Sequence, residues 1–335
     1  MQINTTPRIP YQPQTLPPAQ KLTELDGEPF APVISPNGET VVFAAGTTQP
    51  LVREMYSVGI DGSGQKQLTN RQVNLSWQPS ISPDGEKIAY VVEKQGKTDL
   101  QVMNLDGSGN VNLTDTNKGY WYPSWSADGK TIATTSRDTE LGNLEVVTVA
   151  ADGSKETNQL TKVGYQVDNP VFSPTGSHVV FGLAPGFGPA VLCSIQADGE
   201  NFRAYSTDLI LMGKPAVSKD GHIIFSATKG DGRIGIYDAK LDSEEPAKLM
   251  VDAEFALSPS ISPDGKKVAF VDTDPNGRFQ VFEANRGGEE TQLRQVTAGE
   301  SSSSNPVYTP DGEGIVFISS REGDKEIYLQ KLKAE

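Results

Sequence analysis

Seven copies of one short turn recur along the chain at a nearly constant interval, and periodicity of this kind leaves few folds open. The copies are Ser35-Pro36-Asn37-Gly38, Ser82-Pro83-Asp84-Gly85, Ser126-Ala127-Asp128-Gly129, Ser173-Pro174-Thr175-Gly176, Ser218-Lys219-Asp220-Gly221, Ser262-Pro263-Asp264-Gly265 and Thr309-Pro310-Asp311-Gly312. They stand 47, 44, 47, 45, 44 and 47 residues apart. Three residues before each Ser or Thr is a proline: Pro32, Pro79, Pro123, Pro170, Pro215, Pro259 and Pro306. Proline has no N–H and is tolerated at the first residue of a strand. Glycine takes the positive φ that a tight hairpin requires. Each unit is therefore expected to open with a short strand and a tight turn.

Beyond the turn come β-rich triplets: Val41-Val42-Phe43, Ile88-Ala89-Tyr90, Val179-Val180-Phe181, Val268-Ala269-Phe270 and Ile315-Val316-Phe317. A polar loop and a third strand follow, as at Leu100-Gln101-Val102-Met103-Asn104 or Glu326-Ile327-Tyr328-Leu329-Gln330. A second turn often holds Asp-Gly (Asp61-Gly62, Asp106-Gly107, Asp152-Gly153, Asp198-Gly199). It leads to a last strand ending in Leu68-Thr69, Leu113-Thr114, Leu160-Thr161 or Val296-Thr297. Four antiparallel strands at a period near 45, with no helical 3.6 pattern, predict an all-β fold, a seven-bladed β-propeller, because radial closure protects the sheet edges. The seventh unit stops at Leu332 to Glu335 after three strands, while Leu22-Thr23 matches a fourth strand with no unit before it. An N-terminal strand is thus expected to complete the last blade and close the ring. The expected division is a Pro-rich extended or disordered tail over residues 1–20, with five prolines, and a propeller over 21–335.

The Ser-Pro-Asp-Gly turn, the apolar triplet and the Leu-Thr strand resemble the WD40-like repeats of TolB-type propellers, over residues 21 to 335. That repeat serves envelope scaffolds, peptidase propellers and oligogalacturonate lyases alike, so the resemblance speaks to fold before function. It implies a periplasmic or extracellular bacterial setting and protein contacts across a propeller face. TolB itself carries six units where this chain has seven. The first twenty residues have neither a basic nor an apolar export region, so a cytoplasmic setting stays open from the sequence. No stretch approaches 18 consecutive apolar residues, and no membrane insertion is expected. The formal net charge of −14 repels phosphate backbones, and no basic run offsets it, so nucleic acid is not an expected partner.

The inventory for catalysis is thin. His178 and His222 are the only histidines, and both read as surface groups. They are too few for the clustered metal-binding histidines that a lyase of the oligogalacturonate kind implies. No nucleophile elbow, zinc motif or phosphate loop appears. Cys193, in an apolar run, reads as a core residue. No cofactor is expected to be required. One segment, Asp272 to Glu283, matches the calcium loop Asp-x-Asp-x-Asn-Gly-x5-Glu with Asp272, Asp274, Asn276 and Glu283 as ligands, while its Asn276-Gly277 also reads as an ordinary hairpin turn.

The sharper signal lies five residues before the turn Ser, where the first three units carry Phe30, Trp77 and Trp121, and where Tyr120 and Tyr122 flank the third. The same column reads Asp168, Gly213, Leu257 and Ser304 in the other units. These aromatics are read as a binding surface at the channel mouth, with inter-blade packing as the competing reading. Trp125 falls in the column of Ile34, Ile81, Phe172 and Ile261 and reads as core. The expectation is a non-enzymatic binding or scaffold protein for a protein or peptide, with a saccharide as a variant. The alternative is a polysaccharide lyase or glycoside hydrolase with a carboxylate site in the mouth.

Overall fold

The computed structural model describes residues 16–47, 52–70, 77–94, 96–114, 118–137, 142–185, 188–205, 208–287 and 293–333. Blade one runs from the axis outward as Pro29–Ile34, Thr40–Gly46, Arg53–Gly59 and Lys66–Gln67, each strand antiparallel to the next. Six further sheets repeat this order around a ring, and the innermost strands touch their neighbours all the way round. The fold is a seven-bladed β-propeller, with no helix among the described residues.

The ring closes as expected. Gln20–Lys21 pairs antiparallel with Asp324–Lys331, Gln20 opposite Leu329 and Lys21 opposite Tyr328, and the Leu22 N–H continues the ladder to the Ile327 carbonyl at 2.8 Å. Order begins before residue 21: Leu16 and Ala19 pack on the core of blade seven, and the Gln330 side-chain amide donates to the Pro17 carbonyl. Residues 1–15 of the expected tail lie outside the described residues.

The second strand of each blade is buried on both faces because neighbouring blades sandwich it. Val41, Val42, Phe43 and Ala44 are all at most 1% exposed, which explains an uninterrupted apolar run where a half-exposed strand would alternate. The cores are interfaces between blades: Val42, Ala44 and Met55 of blade one pack with Ile88, Tyr90 and Met103 of blade two. Aromatics within a blade stack across its second and third strands, as in Phe43 on Tyr56 at 5.8 Å and Phe317 on Tyr328 at 5.9 Å. Trp125 is buried as expected, and its Nε1–H reaches the Ser80 carbonyl of the preceding blade at 3.0 Å.

The Ser-x-Asp-Gly turn folds around its own side chains. In Ser82 to Gly85 the Gly N–H donates to the Ser carbonyl, the Ser Oγ accepts from Lys87 N–H, and the Ser hydroxyl donates to Asp84. That bond, with the Glu86 N–H, holds the Asp84 carboxyl below its ordinary pKa. Gly38, at φ 78°, faces Pro310 of the last blade, so these turns also join blade seven to blade one.

The proline position corrects one expectation. Pro32 is the fourth residue of its strand, inside a bulge: Phe30 pairs with Ala44 and Val33 with Val42, so residues 31 and 32 face Phe43 alone. The same shift occurs at Trp77/Ser80, Trp121/Ser124, Asp168/Val171, Leu257/Ser260 and Ser304/Val307. A bulge removes one ladder position, and proline, lacking the donor, fits there at no further cost.

Candidate functional site

The bulge fixes the inner wall of the ring. The residue just before the proline takes a left-handed conformation in six blades: Ala31, Gln78, Tyr122, Asn169, Ser258 and Asn305 have φ between 43° and 59°. Non-glycine residues reach this region at a cost of roughly 1–3 kcal/mol each, and such positions persist where the surroundings over-determine them. Blade five departs: its inner strand is split into Ile210–Leu211 and Ala216–Val217, the left-handed residue is Gly213 at φ 82°, and Lys214 takes the position before the proline.

The expected aromatics separate on this wall. Tyr120, 2% exposed, is a core residue packed with Ala89, Leu100 and Trp125, and its N–H donates to Thr98 Oγ1; the structure removes it from the expected surface. Trp121 and Tyr122 are half-buried. The Trp121 indole lies against Gly119, where a Cβ would stand 2.0 Å from its Cη2, and the Arg137 guanidinium sits 5.6 Å from the indole ring. A side chain at 119 would have to displace the ring. Phe30 is 36% exposed, with the Arg53 guanidinium 4.1 Å over its ring. Trp77 begins the inner strand of blade two, and its side chain lies outside the described set. Arg53 and Phe30 sit at the start of their strands, which places the inner-strand entrances and the loops between second and third strands at one end of the ring.

Beside Tyr122 lies Asp168, the blade-four member of the aromatic column. Burial raises the Tyr122 pKa and the Asp168 charge raises it further. Asp168 is itself raised by desolvation, opposed by a hydrogen bond from Asn169. Its Oδ1 is buried without a hydrogen-bond partner and occupies space that a Cβ on Gly182 would need, at 2.2 Å.

The calcium-loop residues are not brought together. Asp272 accepts the N–H groups of Phe255 and Thr273, and Asp274 accepts those of Asn276 and Arg278, capping the hairpin turn that Asn276-Gly277 makes. Glu283 faces Ala269 in the register where Asp272 faces Gln280, three pairs apart, about 10 Å along the strand. It is bound instead to Lys267 at 2.8 Å and to the Tyr308 hydroxyl at 2.9 Å. The motif matched because its spacing suits a helix, whereas the extended strand here carries the last ligand away. Among the described residues no group of three or more His, Cys, Asp or Glu side chains could hold a metal ion.

Of the two histidines expected at the surface, His178 is buried and His222 is partly exposed. His178 is 5% exposed, its ring between Ser177 Oγ and Asp242 Oδ1, and His222 bonds Asp238 at 2.7 Å. Each is paired at the turn end of its strand. Cys193 is fully buried, and burial pushes its thiol up to about 12, which leaves it inert.

One set of residues escaped the sequence reading. The Thr that ends the fourth strand donates to a carboxyl or amide near the start of the third and accepts the next N–H: Thr69 with Glu54, Thr114 with Asp99, Thr161 with Glu145, Thr297 with Gln280 and Thr23 with Glu326. Glu145 also accepts the N–H groups of Val163 and Gly164, and Glu326 that of Leu25, so these buried groups pin the loops that lead to the mouth. The Leu-Thr pair was the available signal. Its partner lies about 15 residues upstream, visible only once the register is known.

A family model described as the TolB beta propeller domain matches residues 12–209 and 207–335. The chain is similar to the Tol-Pal system protein TolB of Francisella tularensis subsp. mediasiatica, at 26% identity over 275 residues, 78% of this chain and 62% of that protein. It is also similar to dipeptidyl-peptidase 5 of Porphyromonas gingivalis, at 24% over 268 residues, 76% of this chain and 38% of that protein. It therefore spans under two thirds of either relative. Among solved structures, the oligogalacturonate lyase of Vibrio parahaemolyticus superposes with a TM-score of 0.75 at 15% identity, over 93% of both chains, a likeness of fold.

Proposed function

From the premise that this chain belongs to the TolB beta propeller family, we propose that it is a non-enzymatic binding module that engages a protein or peptide at the mouth of its ring. The observation that carries the reading is Trp121 with Tyr122: two large aromatics, partly exposed, on a strained bulge of the inner strand. Rings so placed supply contact area at low entropic cost, and Trp and Tyr dominate interface energetics. The likeness to Tol-Pal proteins supports a protein partner and a periplasmic setting. No helix among the described residues is long and apolar enough to cross a membrane.

A second reading, a lyase or hydrolase, draws on Asp168, whose raised pKa is what a general acid needs. Carboxylate mechanisms use two such groups at a set separation, and the lyase or hydrolase reading rests on this one, so binding is the better reading. The test is cross-linked capture from the native organism with the parent protein and with Trp121→Ala/Tyr122→Ala. The reading expects a discrete protein lost from the variant, whose melting temperature stays near the parent's. Equal capture by both removes the mouth from the binding surface. Release of unsaturated products from polygalacturonate would establish the enzyme reading instead.

A further inference from the structure

The position before the bulge proline carries Ala31, Gln78, Tyr122, Asn169, Lys214, Ser258 and Asn305 around the ring, so one charged side chain stands among six neutral ones. Its backbone is also the most displaced. In blade one, residues 31 and 32 face one residue of the second strand, whereas in blade five residues 212–215 lie between the pairs Leu211–Ala227 and Ala216–Ile224 and face two, 225 and 226. The longer bulge carries Lys214 out of the sheet on the strand that lines the axis.

Lys214 is solvent-accessible, and among the described residues nothing forms a hydrogen bond or ion pair with its ammonium. Desolvation nevertheless holds its pKa below the ordinary lysine value. The inner strands of the seven blades touch one another around the axis, and Lys214 stands exposed on that wall between the two halves of the blade-five inner strand. In the next two blades Ser258 and Asn305 are exposed at the equivalent positions and offer a hydroxyl and an amide. An exposed cation with no hydrogen-bond or ion-pair partner among the described residues, at the same inner-strand position as the exposed Ser258 and Asn305 of the next two blades, suits an anion.

We propose that the axial channel holds an anion-binding site centred on Lys214, with Ser258 and Asn305 as flanking donors, and that it takes the carboxylate of an acidic peptide side chain or C-terminus. The net negative field disfavours polyanions such as nucleic acid and leaves a single carboxylate as the better match. The peptide assignment rests on the function proposed above; the anion site does not.

Reductive methylation of the whole protein with carbon-13 formaldehyde gives each lysine a dimethylammonium resonance, and Lys214→Arg identifies the one of interest. This signal is expected to titrate below the surface lysines. N-acetylglutamate α-amide at millimolar concentration should shift its midpoint upward, while the neutral N-acetylglutamine α-amide leaves it in place. A Lys214 signal that titrates with the surface lysines, ignores the glutamate compound or answers the glutamine compound equally overturns the site. A response to galacturonate without one to the glutamate compound overturns the peptide assignment. Trp121→Ala should preserve the Lys214 response, so failure of the mouth reading and failure of this site are separable.

Discussion

Thr23 donates a hydrogen bond of 2.5 Å to Glu326 Oε2 across 303 residues of chain, and its Oγ1 accepts the Ile327 N–H at 2.9 Å. The same arrangement joins the fourth strand to the third within other blades, so the ring is closed by the device that completes each sheet. Glu326 is 4% exposed and Thr23 2%. Thr23→Val, which keeps the shape and removes the hydroxyl, should cost about 1–3 kcal/mol because a buried carboxyl loses its partner. Deletion of residues 1–24 should lower the melting temperature far more, since it strips a whole strand and bares an edge. Calorimetry of both variants checks this, and a deletion that melts with the parent would mean the ring does not depend on its N-terminal strand.

The two described tryptophans make an internal comparison. Trp125→Ala empties an inter-blade core and should cost about 3–5 kcal/mol. Trp121 is partly exposed over Gly119, so Trp121→Ala should cost less. Urea denaturation of both variants decides the point. Equal losses would place the Trp121 indole among the packed groups and remove the basis for the mouth as a binding surface.

The turn from Asp274 to Arg278 should behave as a self-capped hairpin. Asp274→Ala frees two N–H groups, of Asn276 and Arg278, and should destabilise the fold by about 1–3 kcal/mol. The loss should be the same in millimolar calcium and in chelator. A melting temperature that rises with calcium in the parent and not in the variant would restore the calcium reading through linkage.

The fold was legible because its information is local and repeated seven times: the turn Ser and Gly satisfy one another within six residues, and the Leu-Thr near residue 22 announced a strand without a blade. The wall of the channel was less so. Column alignment set Tyr120 beside Trp121 as neighbours in sequence, yet alternation along the strand sends Tyr120 into the core and leaves Trp121 partly exposed. Lys214 follows Gly213, the blade-five member of the aromatic column, and belongs to no motif of its own. Its significance is radial, arising where seven strands from distant parts of the chain meet, and no spacing along one unit encodes that.

Asp168 gives the channel mouth a pH signature whose sign is fixed by its surroundings. Desolvation raises its folded-state pKa above the ordinary value of 3.8, and its Oδ1 has no hydrogen-bond partner. The folded protein therefore holds this proton more tightly than the unfolded chain does. The resulting stabilisation is fully present below the ordinary carboxyl pKa and is lost as pH rises from there through the raised one. At neutral pH the ionised group is a net cost that Asp168→Asn removes. The variant should melt above the parent at neutral pH, and the difference should shrink or reverse as the parent is acidified into the range where Asp168 is protonated. Gly182→Ala should act oppositely, since its Cβ would press on the same oxygen. Melting temperatures of the three proteins across an acid-to-neutral series measure this directly. A constant offset between Asp168→Asn and the parent at every pH would show that Asp168 is not the titrating group.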